Sequence, residues 1–383
     1  MKKINISIKE HKVGELFYNE QNREFGFNYI SEKAAVSLTM PYKKSTYVWP
    51  NSLHPIFEMN LPEGYLFEIF KNFLAKKYGY INDFLIFSYL APNIESRLNY
   101  QSEFDKKEFD GFDINEVLNH DNQDTFVKLL NLFLDKNAIS GIQPKTIVLI
   151  KQKESLVLKE YIVKTWGDEY PHLAENEYFC MKAVEYSGVP IPQIYLSKNK
   201  NFLLVEKFNY DKEKNEYIGF EEVLSLQGKN RDKKYSGSYE SIAKVIYSVS
   251  TKKEDSMEYL FKTIVMSYLL KNGDGHLKNF GVLYDYEFKN INFAPAYDIV
   301  NTMAYIYNDL PALTMFGRKK WFDEKDLIRF GKNNCYLSNS TAKKYFQDCT
   351  KALNKIKHEL RCYLGENKNF VNIGTKMLKS WEK

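Results

Sequence analysis

The stretch KNGDGHLKNF, residues 271–280, places an acid, an imidazole, an amine and an amide within a few residues: Asp274, His276, Lys278 and Asn279. An aspartate there could orient a nucleophilic hydroxyl, and an asparagine five residues on could lend its amide oxygen to a hard cation. Asp298, in the run PAYDI, could supply a second oxygen ligand. Mg²⁺ keeps several waters, so one carboxylate, one amide and the phosphates of a nucleotide suffice for it. The chemistry such a set serves is phosphoryl transfer.

Asp274 and Asn279 match the D-x-x-x-x-N spacing of the catalytic loop of protein kinases, and other parts of that machinery precede them in order. YIVK ends a strand in Lys164, which resembles the strand-borne lysine that holds the α and β phosphates. In the helix that follows, Glu177 shares a face with Ala174, Met181 and Val184, and a carboxylate on an apolar stripe needs a partner such as Lys164. Glu175 is the competing choice; it lies near Lys182 and could simply be exposed. The loop SGIQPK, comprising Ser140, Gly141, Ile142, Gln143, Pro144 and Lys145, stands where a phosphate-covering Gly-rich loop belongs, with a single glycine.

Each residue taken singly has a plain structural role open to it. His276 could pack in a loop, Lys164 could end a strand at the surface, Asp298 could sit in a turn, and Asn279 could cap a helix or hairpin. Their joint order along the chain favours chemistry.

Rigid elements must position these groups. Met257, Leu260, Phe261, Ile264, Val265, Tyr268 and Leu269 follow helical spacing, so a buried helix delivers the chain to Asp274. FGVLY and INFAP frame the polar YEFKN as a hairpin, which folds Asp298 back toward Asn279. Residues 1–105 are expected to form a β-rich subdomain, with INISI and EFGFNYI as strands and a helix over Leu66–Lys77. The polar run from Gln101 to Asp124 marks a boundary. Residues 106–210 hold a helix at DTFVKLLNLFL, a hairpin of TIVLI with LVLKEYIVK, and a helix over Leu173–Tyr186 stopped by Ser187 and Gly188. A strand, NFLLVEKF, closes that unit, and residues 211–383 are mostly helical.

The 383 residues, 44% hydrophobic and 16% aromatic, can fill sizeable cores in two or three subdomains. Four scattered cysteines exclude a zinc knuckle or a paired redox motif and suit a reducing cytoplasm. MKKINISIKE lacks an apolar leader core, and no apolar run reaches the roughly 18 residues of a membrane span, so an unexported, soluble protein is expected. The net charge of +5 is spread over separated lysine pairs and reads as solvated surface.

Together, SGIQPK, YIVK, ENEYFC, LLVEKF, KYSGSYESI, GDGHLKNF and PAYDI resemble the HipA family of bacterial serine/threonine kinases, the toxins of type II toxin–antitoxin pairs. VGEL, FGFNY, LTMPY and NLPEG resemble that family's N-terminal subdomain, so the likeness runs along nearly the whole chain. It implies an α+β, protein-kinase-like fold with a β-rich N-terminal subdomain, a small ATP-binding lobe and a mainly helical C-terminal lobe. It implies Asp274 as catalytic aspartate, Asn279 and Asp298 as Mg²⁺ ligands, and His276 and Tyr297 lining the nucleotide. Lys145 and Lys164 would meet the phosphates, and Glu206, Lys207 and Phe208 would form the adenine hinge. The implied partners are a HipB-like helix-turn-helix antitoxin, DNA only through that antitoxin, and an aminoacyl-tRNA synthetase as substrate, with no membrane. Several family members phosphorylate a serine of their own in or before the Gly-rich loop. Here Ala138 stands where some carry Ser, which leaves Ser140 as the candidate.

Two rivals from other classes remain at the level of sequence. A nucleotide-binding pseudokinase or corepressor would keep the fold without the transfer, but Asp274, Asn279 and Asp298 are all intact. A small-molecule or lipid kinase would share the ATP machinery and differ in an acceptor site that these motifs do not reveal. A metal hydrolase would need more clustered ligands than six dispersed histidines provide.

Overall fold

The computed structural model describes residues 2–104, 112–136, 154–158, 161–167 and 169–382. Alternation of period two writes the first sheet: Ile4, Ile6 and Ile8 of β1 (Lys3–Ile8) all point inward. With β2 (His11–Asn19), β3 (Glu24–Tyr29), β4 (Tyr47–Pro50) and β5 (Leu98–Gln101) it forms an antiparallel sheet in the order β4-β3-β2-β1-β5. Helices α1 (Pro55–Glu58), α2 (Gly64–Tyr78) and α3 (Asp83–Leu90) lie between its fourth and fifth strands in sequence. Asn82 starts α3 by accepting from Leu85 N at 2.9 Å.

The polar run after this subdomain is partly helical, as α4 (Ile114–Asn119), because Asp113 caps it through Asn115 N at 2.8 Å. Next come α5 (Gln123–Lys136), β6 (Glu154–Leu158) and β7 (Tyr161–Thr165). LVLKEYIVK is not one strand as expected. Leu158 pairs with Tyr161, so the segment is itself a hairpin, and TIVLI lies outside the described residues. Helix α6 covers Leu173–Tyr186, where sequence spacing puts it, and ends on Gly188 at φ 84°, a left-handed conformation that suits glycine. β8 (Ile194–Leu196) and β9 (Leu203–Glu206) complete a second antiparallel sheet, β6-β7-β9-β8.

The remainder opens with the short pair β10 (Tyr210–Asp211) and β11 (Glu216–Tyr217), then β12 (Gly219–Glu222), α7 (Val223–Leu226), α8 (Tyr239–Val249) and α9 (Lys253–Leu269). β13 (Gly281–Tyr284) and β14 (Ile291–Phe293) form the expected hairpin, and β12 joins it to make a third sheet. Helices α10 (Glu324–Asn334), α11 (Asn339–Glu366) and α12 (Val371–Ser380) end the chain. Among the described residues no helix is long and apolar enough to cross a membrane.

Two large cores result. One joins the first sheet, through Ile4 and Phe27, to α2, α3, α5 and the second sheet, through Val163, Phe202 and Leu204. The other packs α6 against α8, α9 and the last three helices, with Phe261, Ile264 and Val265 fully buried. A polar clamp fastens the N-terminal subdomain to the third sheet. Glu221 on β12, wholly buried, accepts from Ser37 Oγ at 2.8 Å, Leu38 N at 2.9 Å and Tyr284 Oη at 2.7 Å. Buried Arg97 donates to Ala35 O at 3.0 Å on one side and to Tyr286 O at 2.9 Å on the other.

Candidate active site

Helix α9 is buried without a break from Leu260 to Tyr268, so its C-terminus is a fixed platform for residues 271–280. There Asn272 N returns to Ser267 O at 2.8 Å, and Thr302 Oγ1 accepts from Gly273 N at 2.8 Å. A Cβ at Gly273 would stand 2.0 Å from Asp309 Oδ2 and 2.6 Å from Thr302 Oγ1, so any larger residue there would have to displace both side chains. The β13–β14 hairpin then carries the chain back to Asp298, whose φ of 58° is uncommon for a residue other than glycine and aims the carboxylate inward.

Lys164 on β7 is the hub. Its Nζ forms a buried ion pair with Glu177 of α6 and a second with Asp298 Oδ1 at 3.0 Å. Asn279 Nδ2 takes the other oxygen of Asp298, also at 3.0 Å. Four residues from four separate parts of the chain therefore bring two carboxylates, one amine and one amide together. Glu175, the alternative partner, is also buried, but it accepts from Tyr363 Oη at 2.7 Å and faces His172 Nδ1 at 2.7 Å. Helical geometry explains the difference: residues 175 and 177 lie on opposite sides of α6.

The 271–280 cluster divides its labour. Asp274 is half-buried and faces Tyr235, whose hydroxyl donates to Oδ1 at 2.9 Å. His276 is buried, which pushes its pKa down against the pull of Asp274, and its backbone N donates to Asn279 Oδ1 at 2.9 Å. Lys278 turns away from Asp298. It pairs with Glu63 of the N-terminal subdomain and, at 3.7 Å, with Glu222 of β12. Burial pushes the Glu222 carboxyl up to about 7 in spite of Lys278. Glu63 and Tyr235 stand inside the NLPEG and KYSGSYESI stretches, but sequence singles out neither them nor Glu222, because no spacing ties them to the 271–280 loop.

The expected hinge residues lie at the end of β9 and just beyond it. Glu206 pairs with Lys212 at 2.5 Å, and Lys207 with Glu95 at 3.5 Å. Phe208 packs against Tyr297 at 5.3 Å between ring centres, and the Tyr297 hydroxyl donates to Lys278 O at 2.5 Å. Ser140, Gly141, Ile142, Gln143, Pro144 and Lys145 lie outside the described residues. One carboxylate and one amide at Asp298 and Asn279 suit a hard, oxygen-seeking cation. The Asn279 amide is held on both sides, its oxygen accepting from His276 N and its nitrogen donating to Asp298.

A small antiparallel sheet bearing a lysine, a helix bearing its glutamate partner and a helical lobe presenting an Asp–Asn loop together define a protein-kinase-like α+β fold. A model of the HipA-like C-terminal domain matches residues 137–356, more than half of the chain, and a model of the HipA N-terminal domain matches residues 4–93. The chain belongs to the HipA family. Its relatives include a protein of Haemophilus influenzae named "Putative kinase", 31% identical over 231 residues, covering 51% of this chain and 66% of that protein. Another of the same kind in Sinorhizobium fredii is 27% identical over 175 residues, 42% of each chain. The chain thus spans less than two thirds of the length of either relative. HipA of Shewanella oneidensis MR-1, solved in a toxin–antitoxin complex with HipB and operator DNA, superposes with a TM-score of 0.73 over 99% of this chain and 96% of that one. At 14% identity that likeness shows the fold.

Proposed function

We propose that this protein is a Mg-ATP-dependent serine/threonine protein kinase of the HipA type. The observation that carries the proposal is Lys164, held between Glu177 and Asp298, with Asn279 on the second oxygen of Asp298 and Asp274 on the same loop. In the proposed reaction, Asp274 accepts the hydrogen bond and then the proton of a serine or threonine hydroxyl. That oxygen forms the new bond to the γ-phosphorus as the bond to the β,γ-bridging oxygen breaks, and ADP leaves. Lys164 steadies the α and β phosphates, and Asp298 with Asn279 would hold the cation. Bound Mg²⁺ would neutralise polyphosphate charge. Glu206, Lys207 and Phe208 line the adenine side, with His276 and Tyr297 beside the nucleotide, and SGIQPK covers the phosphates.

The proposal extends to the division of the chain: an N-terminal subdomain over 1–105, a small lobe over 106–210 and a helical lobe over 211–383, the first two sharing a core. It also covers a toxin role in the cytoplasm, a HipB-like antitoxin as partner and an aminoacyl-tRNA synthetase as substrate. These rest on family membership and on the Shewanella complex. Ser140 is the candidate for self-phosphorylation.

Saturating Mg-ATP, at about 100 times its Kd, should stabilise the chain by roughly 2.7 kcal/mol. Absence of any thermal shift with Mg-ATP removes the proposal. Transfer of labelled γ-phosphate to protein separates a kinase from a nucleotide-binding protein that does no chemistry.

A further inference from the structure

The turn at residues 231–236 runs along the loop that carries Asp274, and both of its sides are fastened. On the inner side Leu277 N donates to Lys234 O at 3.1 Å, and Ser236 Oγ closes the turn on Lys233 O at 2.8 Å. On the outer side Arg231 N donates to Glu58 at 2.8 Å, its guanidinium pairs with Asp83 at 3.1 Å, and Lys234 pairs with Glu63 at 3.2 Å. Tyr235 stands on this turn, its ring edge-on to His276 with 5.1 Å between centres. Its hydroxyl reaches Asp274 Oδ1 at 2.9 Å.

The residue is 48% exposed, so the phenol could give its hydrogen to water with little loss, yet it gives it to the carboxylate. A phenol is a donor at neutral pH, and burial and the Asp274 charge raise its pKa further. The backbone bond from Leu277 to Lys234 already ties turn to loop, so the phenol is not needed for that purpose. A hydroxyl donating to Asp274 is the arrangement that the proposed transfer asks of its acceptor.

We propose that Tyr235 is an internal occupant of the acceptor-hydroxyl position on Asp274, which a substrate hydroxyl must displace before transfer. The inference rests on the kinase function proposed above. While the phenol is in place, Oδ1 of Asp274 is taken, and a second hydroxyl, water included, reaches that oxygen only by displacing the phenol, which slows hydrolysis of bound ATP. An acceptor must then supply enough contact of its own to turn the phenol out, which selects a docked protein surface over a small alcohol. Tyr235 is in this sense a specificity-determining residue.

The test is Tyr235→Phe in the full chain, a change that removes one oxygen and leaves the ring against His276. ADP release from Mg-ATP is measured without a protein acceptor, alongside Asp274→Ala and the Tyr235→Phe/Asp274→Ala double variant. Freed from the phenol, Asp274 should admit water, and kcat for ADP release should rise about tenfold, the kinetic equivalent of one ordinary hydrogen bond, with the KM for ATP unchanged. The double variant should lose the gain. If Tyr235 only orients Asp274, kcat falls; a fall overturns the proposal, and so does an unchanged rate in a variant that still shows the thermal shift with Mg-ATP. A wild-type chain with no such shift removes the kinase function itself, and this inference with it.

Discussion

Glu63, at the N-terminus of α2, forms an ion pair with Lys278, the residue before Asn279, and so links the N-terminal subdomain to the loop of the candidate active site. Burial alone would raise the Glu63 carboxyl, but Lys278 and Lys234 outweigh it and hold the group down at about 2. A depressed carboxylate contributes stability that is present above its ordinary value near 4.5 and is lost as pH falls through about 2. Glu63→Gln should therefore flatten the acid limb of the stability curve, measured by urea unfolding between pH 5 and pH 2.5. Glu63 is partly exposed, and pairs of that kind contribute about 0.2–1 kcal/mol, so phosphoryl transfer should slow by less than about fivefold. An acid limb identical to wild type would show that the pair carries no linkage.

Asp298 and Asp274 should respond differently to removal. Asp298→Ala takes away the carboxylate that meets both Lys164 and Asn279, so isothermal titration should show Mg-ATP binding lost or greatly weakened. Asp274→Ala leaves that cluster intact and should bind nucleotide nearly as wild type does. Its transfer rate should fall by about 10² to 10⁴, the usual contribution of a positioned base. Equal loss of affinity in the two variants would overturn the division of roles between them.

Much of this geometry was legible in the sequence because it follows from periodicity. The apolar stripe of α6 favours Glu177 over Glu175, and the FGVLY–INFAP hairpin carries Asp298 back toward Asn279, where the structure places it at 3.0 Å. What sequence could not show is contact between remote elements: Tyr235 on Asp274, Glu63 on Lys278, and Glu221 on Ser37 and Leu38. The misplaced boundary in LVLKEYIVK has a different cause. Lys and Glu interrupt the apolar alternation there without a Gly, Pro or Asn to announce a turn, so a hairpin and a single strand have the same pattern.

Glu177 and Glu175 differ by partner and should differ by phenotype. Glu177→Gln leaves Lys164 with Asp298 as its remaining carboxylate, so it should weaken nucleotide binding and lower the melting temperature together, since breaking a buried pair costs about 3–5 kcal/mol at most. Glu175→Gln disturbs His172 and Tyr363, on the other side of α6, and should cost stability with nucleotide affinity intact. Thermal melts with and without Mg-ATP separate the two. A Glu175 variant that loses nucleotide while Glu177→Gln retains it would assign the lysine's partner wrongly.

The pH response near neutrality should come in part from Glu58. Burial raises its carboxyl to about 7, the hydrogen bond from Arg231 N and the Arg231 charge work against that rise, and Asp83 adds to it. Glu222, raised to about 7 by the same cause, lines the same small cavity together with Glu63, Lys229 and Lys278. A carboxyl whose folded value is raised binds its proton more tightly in the folded chain than in the unfolded one. Between its ordinary value near 4.5 and about 7, the folded state therefore holds more protons, and stability falls as pH rises across that window. The full shift corresponds to roughly 3 kcal/mol for Glu58. Glu58→Gln, which keeps the acceptor oxygen for Arg231 N and cannot ionise, should lose distinctly less stability than wild type between pH 5 and pH 8 in urea unfolding. Parallel stability curves for the two proteins would mean that Glu58 does not titrate in this range.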